Sequence, residues 1–277
     1  MEFIKLNNQV EMPMLGFGTF MNNGPECEKS VRCAIDAGYR LIDTAEAYGN
    51  EKEVGNGIKQ SGINREDIFI VTKVNFRSYE NTRQTVMQSL KNLQTDYLDM
   101  VLLHWPFGNY YVAWRELEEM YKEGVIRAIG ISNFNPDRMI DLISFNSVKP
   151  AINQIETHLY CQRTKEHEWE DKYGVAHMAY APLGQGQANE MFAEKTVLDI
   201  AEKYKKSAAQ ILLRFNIQNG VVVIPKSVHE ERIRENIDIF DFELDENEME
   251  ALRTLDKSAP MIGNPENPEK TEFAMTW

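Results

Sequence analysis

A chain of 277 residues is too long for a small single core and suits two modest domains or one large barrel. With 43% hydrophobic and 26% charged residues and no low-complexity or Gly/Ser-rich linker, it reads as one compact globular domain over 1–277. A formal net charge of −13 disfavours nucleic acid and anionic lipid as partners, yet leaves room for an anionic cofactor if a few Lys and Arg are concentrated locally.

The first residues, Met1-Glu2-Phe3-Ile4-Lys5-Leu6, lack the apolar core of a secretion signal, and two short strand-like pieces follow with a turn near Asn7-Asn8. A first longer strand is expected at 15–20, then a helix over 26–37 stopped by Gly38, a C-cap residue. An apolar run at 40–43 ends in an acid, and a helix over 51–60 ends before Gly62. The alternation continues with runs at 68–73 and 97–104, separated by a helix over 81–93. Trp114, Leu117, Met120 and Tyr121 line one face of a helix stopping near Gly124, followed by a run at 126–132 and a helix start at Asn135-Pro136. Further runs at 151–156, 175–180 and 220–226 are accompanied by helices over 197–204 and 230–236, and 245–255 forms an extra helix.

Short aliphatic runs without strict alternation suit strands buried on both faces of a parallel sheet. Eight strand–helix units predict an α/β fold, a (β/α)8 barrel with an N-terminal β-hairpin and an extra C-terminal helix. A doubly wound sheet needs a glycine-rich turn after its first strand. Gly16-Phe17-Gly18 lacks the third glycine, and Gly55-Asn56-Gly57 falls inside a helical pattern. No run is long enough to cross a bilayer, so a cytoplasmic protein is expected, and nothing in the sequence demands more than a monomer. Cys27, Cys33 and Cys161 show neither a disulfide framework nor metal-ligand spacing, and read as free thiols with no metal site.

Barrels of this kind carry their chemistry at the C-terminal ends of the strands. Asp43, Lys73, His104, Gln154, Tyr180 and Lys226 each fall at or just past such an end, and Tyr48 lies five residues beyond Asp43. Taken singly they are ordinary: an Asp caps a helix, a Tyr packs a loop, a Lys is a surface charge, a His sits satisfied in a core. Together they can do defined work. A cation near a phenol lowers its pKa from about 10, an acid keeps the lysine charged and placed, and a histidine donates to a carbonyl oxygen as charge develops there. Lys226 and Ser227 follow a buried strand and Arg232 opens the next helix, an arrangement that suits an anion. Arg234 and the Lys203, Lys205, Lys206 cluster read as solvated helix charges.

The motifs that carry these residues recur in one order: Gly16-Phe17-Gly18-Thr19; Gly38-Tyr39-Arg40-Leu41-Ile42-Asp43-Thr44-Ala45 with Tyr48-Gly49-Asn50-Glu51; Thr72-Lys73; Leu103-His104-Trp105-Pro106; Gly130-Ile131-Ser132-Asn133-Phe134; Asn153-Gln154-Ile155-Glu156; Ala179-Tyr180-Ala181-Pro182-Leu183-Gly184; and Ile224-Pro225-Lys226-Ser227. Over nearly its whole length the chain resembles the aldo-keto reductases, in particular short-loop members of the diketogluconate and glyoxal reductase type. The resemblance implies NADPH-dependent reduction of aldehydes and ketones, dicarbonyls or keto-sugars among them. It makes Tyr48 the general acid, tuned by Lys73 and Asp43, with His104 orienting the carbonyl. It has Tyr180 stacking on the nicotinamide, Ser132, Asn133 and Gln154 holding the carboxamide, and Thr19 and Asp43 near the ribose. It also gives Pro182, Leu183, Gly184 and Gln185 to the cofactor, Lys226, Ser227 and Arg232 to the 2′-phosphate, and Glu235 and Asn236 to adenine.

Two departures bear on substrate. The loop after His104 and the tail after 255 are short, so an open, shallow pocket is expected. Where members of the family often carry Trp two residues after the lysine, this chain has Asn75, followed by Phe76. Phe20, Phe76 and Trp105 are the expected apolar pocket wall, beside Tyr48 and His104. A non-catalytic, nucleotide-binding regulatory barrel is the alternative. The intact set Asp43, Tyr48, Lys73 and His104 argues against it.

Overall fold

The computed structural model describes residues 1–186, 189–262 and 265–276. Strands β1 (Phe3–Lys5) and β2 (Glu11–Pro13) pair antiparallel as the N-terminal hairpin. Eight parallel strands follow: β3 (Phe17–Gly18), β4 (Leu41–Asp43), β5 (Phe69–Val74), β6 (Met100–Leu103), β7 (Ile129–Ser132), β8 (Ile152–Glu156), β9 (Ala176–Tyr180) and β10 (Val222–Val223). Each pairs with its chain neighbour. The sheet closes through a parallel bridge between Leu15 and Val223, where the Gly16 N–H donates to Val223 O at 2.8 Å. The chain is a (β/α)8 barrel.

Helices α1 (Gly24–Ala37), α2 (Glu51–Ser61), α3 (Thr82–Leu93), α4 (Tyr110–Lys122), α5 (Pro136–Ser144) and α6 (Thr164–Tyr173) return the chain between successive strands. Three helices, α7 (Asn189–Ala193), α8 (Lys195–Tyr204) and α9 (Ala208–Gln218), separate β9 from β10, and α10 (Glu230–Ile237), α11 (Glu246–Arg253) and α12 (Pro268–Ala274) complete the chain. Their limits have local causes. Gly38 ends α1 at φ 109°, a left-handed conformation open to glycine, and Asp245 and Glu248 form a reciprocal capping box at the start of α11. Among the described residues, no helix is long and apolar enough to cross a membrane.

Alternation along each strand divides the interior in two. Leu41, Phe69, Val71, Met100, Leu102, Ile152 and Met178 fill the barrel, whereas Ile42, Ile70, Val101, Leu103 and Ile131 face outward to a cluster containing Val31, Val54, Val86, Trp114 and Leu117. Both faces are dry, which is why the strands read as continuous apolar runs. The hairpin closes the lower end of the barrel by adding Leu6 and Met12 to the inner cluster. Its turn is held there as Asn7 donates to Pro150 O (2.8 Å) and Asn8 to Arg127 O (2.9 Å). Gly130 is a spacing requirement: a Cβ there would lie 2.6 Å from Leu102 Cδ2 and 2.8 Å from Ile152 O.

The expected strand at 220–226 is only Val222–Val223, and that at 15–20 only Phe17–Gly18, because the chain at both places leaves the ladder early to form the mouth of the barrel. Four helices escape the periodicity. In α6 the only buried residue is Glu170, leaving no apolar stripe, and α9 is buried continuously from Gln210 to Ile217, leaving no polar face. The short α7 and α12 are the others, so the C-terminal end carries α12 besides the expected extra helix.

Met12→Ala should test the closure from below: removing this fully buried side chain is expected to cost about 2–5 kcal/mol, read as a lowered midpoint in chemical denaturation.

Candidate active site

The parity that fills the barrel also builds its mouth. Two residues beyond the inward-facing Leu41, Val71, Leu102, Gly130, Ile152 and Met178 come Asp43, Lys73, His104, Ser132, Gln154 and Tyr180. These six polar side chains therefore form the topmost inward layer, and five of them are buried while Tyr180 is half-buried. Above them opens a cavity of about 350 Å³.

At its floor Lys73 Nζ donates to Asp43 Oδ1 (2.6 Å), to Thr44 O (2.8 Å) and, at 3.4 Å, to Tyr48 OH. All three ammonium protons are thereby used. The other carboxylate oxygen of Asp43 accepts from Gln154 Nε2 at 2.8 Å, across the barrel from β8. Burial pushes the Asp43 carboxyl up and the Lys73 ammonium down, and each charge opposes the shift of the other.

Tyr48 ends a single 3-10 turn, Glu46–Tyr48, and its ring stands 4.9 Å from that of Phe20 and 5.8 Å from that of His104. Here the structure departs from expectation. Desolvation, reinforced by Asp43 and Tyr180, holds the Tyr48 phenol well above its ordinary pKa despite the nearby ammonium. Tyr48 is thus a protonated hydrogen-bond donor. His104 is held well below the usual histidine range by burial and by Lys73. Its Nδ1 is buried with no partner among the described residues, which leaves Nε2 as the ring nitrogen that can meet a ligand.

One wall is formed by Ser132, Asn133, Gln154 and Tyr180. Tyr180 OH donates to Asn133 Oδ1 (2.9 Å), Asn133 Nδ2 to His104 O (3.0 Å) and Ser132 Oγ to Gln154 O (2.8 Å). Gln154 Oε1 keeps no partner among the described residues. Asn133 (φ 64°) and Ala181 (φ 51°) both occupy the left-handed region, as do Met21 (φ 54°) and Gln185 (φ 46°) on the same cavity. Such strain clusters where the surroundings fix the backbone.

Thr19, whose Oγ1 donates to Asp43 O (2.9 Å), lines the cavity together with Phe20, Trp105, Pro182, Leu183, Gln185 and Lys226. Gly184 is buried and does not line the cavity. Phe76 does not line the cavity; it packs edge-on to Phe107, which in turn stacks on Trp105. Ser227, Arg232, Glu235 and Asn236 lie along the continuation past β10, with Ser227 Oγ accepting from the His229 N–H at 3.1 Å. Lys226 and Arg232 are exposed and form no ion pair among the described residues, whereas Arg234 is held by Glu230 at 3.0 Å. Lys203 and Lys206 are also paired, with Asp245 and Glu248 and with Asp238 and Asp241.

Sequence reasoning missed Met21, Ala47 and Ile262 in the lining. Ile262 also corrects the expectation of an open, shallow pocket, since the short tail supplies part of its wall. The Glu156 carboxylate, at the end of β8, accepts from the Met261 N–H (2.5 Å) and the Ile262 N–H (3.0 Å), and Arg77 donates to Met275 O. The short tail is latched across the rim. No local pattern announces it, since the partners are 105 residues apart.

The arrangement joins a neutral phenol, a neutral imidazole and a buried ion pair at the floor of one cavity. It can stabilise negative charge developing on an oxygen and hand that oxygen a proton. Comparison with known proteins agrees with this class of site. Residues 14–257 match the model of the aldo/keto reductase family, and the chain belongs to that family. It is 45% identical over 267 residues to the glyoxal reductase of Bacillus subtilis, covering 95% of this chain and 96% of that protein. To the methylglyoxal reductase of Escherichia coli it is 40% identical over 266 residues, covering 95% and 96%. Among solved structures, an aldo-keto reductase from a Medee basin deep-sea metagenome library superposes with a TM-score of 0.92 at 40% identity, over 96% of this chain and 99% of that one. The aldo-keto reductase of Bombyx mori, solved in complex with NADP, gives 0.90 at 32% identity, over 95% of each chain.

The burial of His104 carries a testable consequence: its ring should remain neutral at about pH 6, below the ordinary histidine midpoint of about 6.5. Imidazole nitrogen shifts in a pH titration by NMR read this directly, and a normal titration would contradict the electrostatics described.

Proposed function

We propose that this protein reduces aldehydes and ketones to alcohols with NADPH, small dicarbonyls and keto-sugars being the substrate classes in view. The observation that carries the reading is the buried Lys73–Asp43 pair in contact with Tyr48, beside His104, at the floor of a cavity. The glyoxal and methylglyoxal reductases among its relatives support the dicarbonyl class.

The residues present fit a dinucleotide. Gln154 offers an unpartnered amide oxygen beside Ser132 and Asn133, where a carboxamide would be held, with the Tyr180 ring as the adjoining wall. Thr19 and Asp43 would meet the ribose, and Pro182, Leu183, Gly184 and Gln185 the part of the dinucleotide beyond it. Lys226 and Arg232, which form no ion pair among the described residues of a chain of net charge −13, suit a 2′-phosphate with Ser227, and Glu235 and Asn236 would meet the adenine. A reduced nicotinamide held there would supply the hydride that the carbonyl carbon accepts.

The remaining work belongs to the chain. His104 and Tyr48 hold the carbonyl oxygen by hydrogen bonds that strengthen as it gains charge. Tyr48 then gives its proton to that oxygen. Its raised pKa keeps it protonated until an alkoxide, a far stronger base, forms beside it. Lys73 stabilises the phenolate left behind, and Asp43 keeps the ammonium in place. Phe20 and Trp105 exclude water from one side, with Phe76 supporting them through Phe107.

Tyr48→Phe should lower aldehyde reduction by about 100-fold or more while leaving NADPH binding unchanged, the first read by NADPH oxidation and the second by fluorescence titration. Replacing Lys226 and Arg232 together by Ala should weaken NADPH about tenfold or more and NADH little. Equal weakening of both cofactors would refute the 2′-phosphate assignment.

A further inference from the structure

Asn75 follows β5 directly, two residues beyond Lys73, and lines the cavity. The ladder pairs Val74 with Leu103, and the His104 N–H donates to Val74 O at 3.0 Å. Asn75 and His104 therefore emerge side by side at the mouth, on strands about 4.8 Å apart. The Asn75 N–H donates to Glu46 Oε2 (3.0 Å), and its Oδ1 accepts from the Arg77 N–H (3.1 Å), capping the 3-10 turn Phe76–Asn81. Only an oxygen can accept there, so the amide orientation is settled by chemistry. Nδ2 is left with two N–H donors and no partner among the described residues. Phe20, Met21, Ala47, Trp105 and Ile262 contribute apolar surface to the same cavity, beside Tyr48 and His104.

We infer that Asn75 is a specificity-determining residue, its side-chain amide donating to a second oxygen carried beside the reacting carbonyl. The substrates favoured are then α-dicarbonyls and α-hydroxycarbonyls over plain alkyl aldehydes. Asn75 is half-buried, so water satisfies the amide when the cavity is empty. A plain aldehyde displaces that water and returns nothing to the donor, whereas a vicinal oxygen replaces it. While His104 and Tyr48 hold the reacting oxygen, the adjacent strand end carries Asn75 on the same cavity. This selectivity presupposes the carbonyl reduction proposed above and adds a choice among substrates.

The test compares methylglyoxal with propanal, which share a three-carbon skeleton and differ in the second oxygen. Asn75→Asp keeps an oxygen for the Arg77 N–H but removes the donor. Asn75→Leu removes both at similar volume. In each variant kcat/KM for methylglyoxal should fall about tenfold or more, while that for propanal changes less than about threefold and NADPH affinity stays constant. Should Asn75→Leu fold poorly, Asn75→Asp decides alone, because its turn remains capped. An equal loss on both substrates, or an unchanged ratio between them, overturns the assignment of Asn75 while leaving the reductase reading intact. A wild-type protein that oxidises no NADPH when carbonyl substrates are supplied overturns both.

Discussion

Lys73 and Asp43 form an ion pair with side chains 0% and 2% exposed, and much of the upper barrel can be understood as what this pair requires. Taking two charges out of water costs several kcal/mol for each ion, and the contact between them offsets this only if their remaining hydrogen-bonding capacity is met. Here Thr44 O and Tyr48 OH complete the ammonium and Gln154 completes the carboxylate. Meeting that requirement fixes β4 beside β5 and brings β8 in from across the interior. It also seats the loop that carries Tyr48, where Glu46 accepts from the Asn75 N–H and the Ser78 hydroxyl.

The support extends outward through buried polar groups. Asn50 donates to Thr19 O and Asn22 O and accepts from Thr44 Oγ1, tying the loop after β3 to the residue whose carbonyl holds Lys73. Glu51, next in sequence, accepts from Thr72 Oγ1 beside the lysine. A motif that reads locally as the start of α2 is thereby a brace for the floor of the cavity. The charge of the four groups at the cavity floor sums to zero, with the Tyr48 phenol and the His104 imidazole neutral beside the Lys73–Asp43 pair. Such a site carries little charge of its own before reaction, and its dipoles stand ready for charge that develops on a bound oxygen.

The outer part of the cavity is organised differently. Its walls come from loops: the segment after β9 with Ala181 and Gln185 in left-handed conformations, and the tail latched by Glu156. Tyr160 joins the two, since its OH donates to Glu194 (2.5 Å) and its carbonyl accepts from the Lys257 and Ala259 N–H groups. The floor is thus set by the rigid sheet and the rim by long-range hydrogen bonds, the division expected where common chemistry is combined with variable selectivity.

What the sequence by itself determined follows from short-range periodicity. Apolar runs marked the strands, and the polar residue ending each run marked the mouth, because a parallel barrel places every such residue at one end. Asp43, Lys73, His104, Gln154 and Tyr180 were legible for that reason. Tertiary structure decided what depends on partners distant in the chain. The direction of the Tyr48 shift depends on how much water the closed barrel excludes from the phenol, and the cation beside it is not enough to reverse that. The place of Ile262 in the wall depends on a carboxylate 106 residues away, and α6 and α9 depend on packing that leaves no amphipathic signal. Periodicity reports which side of an element is dry. Only the folded chain decides which groups meet there and how far water is kept from them.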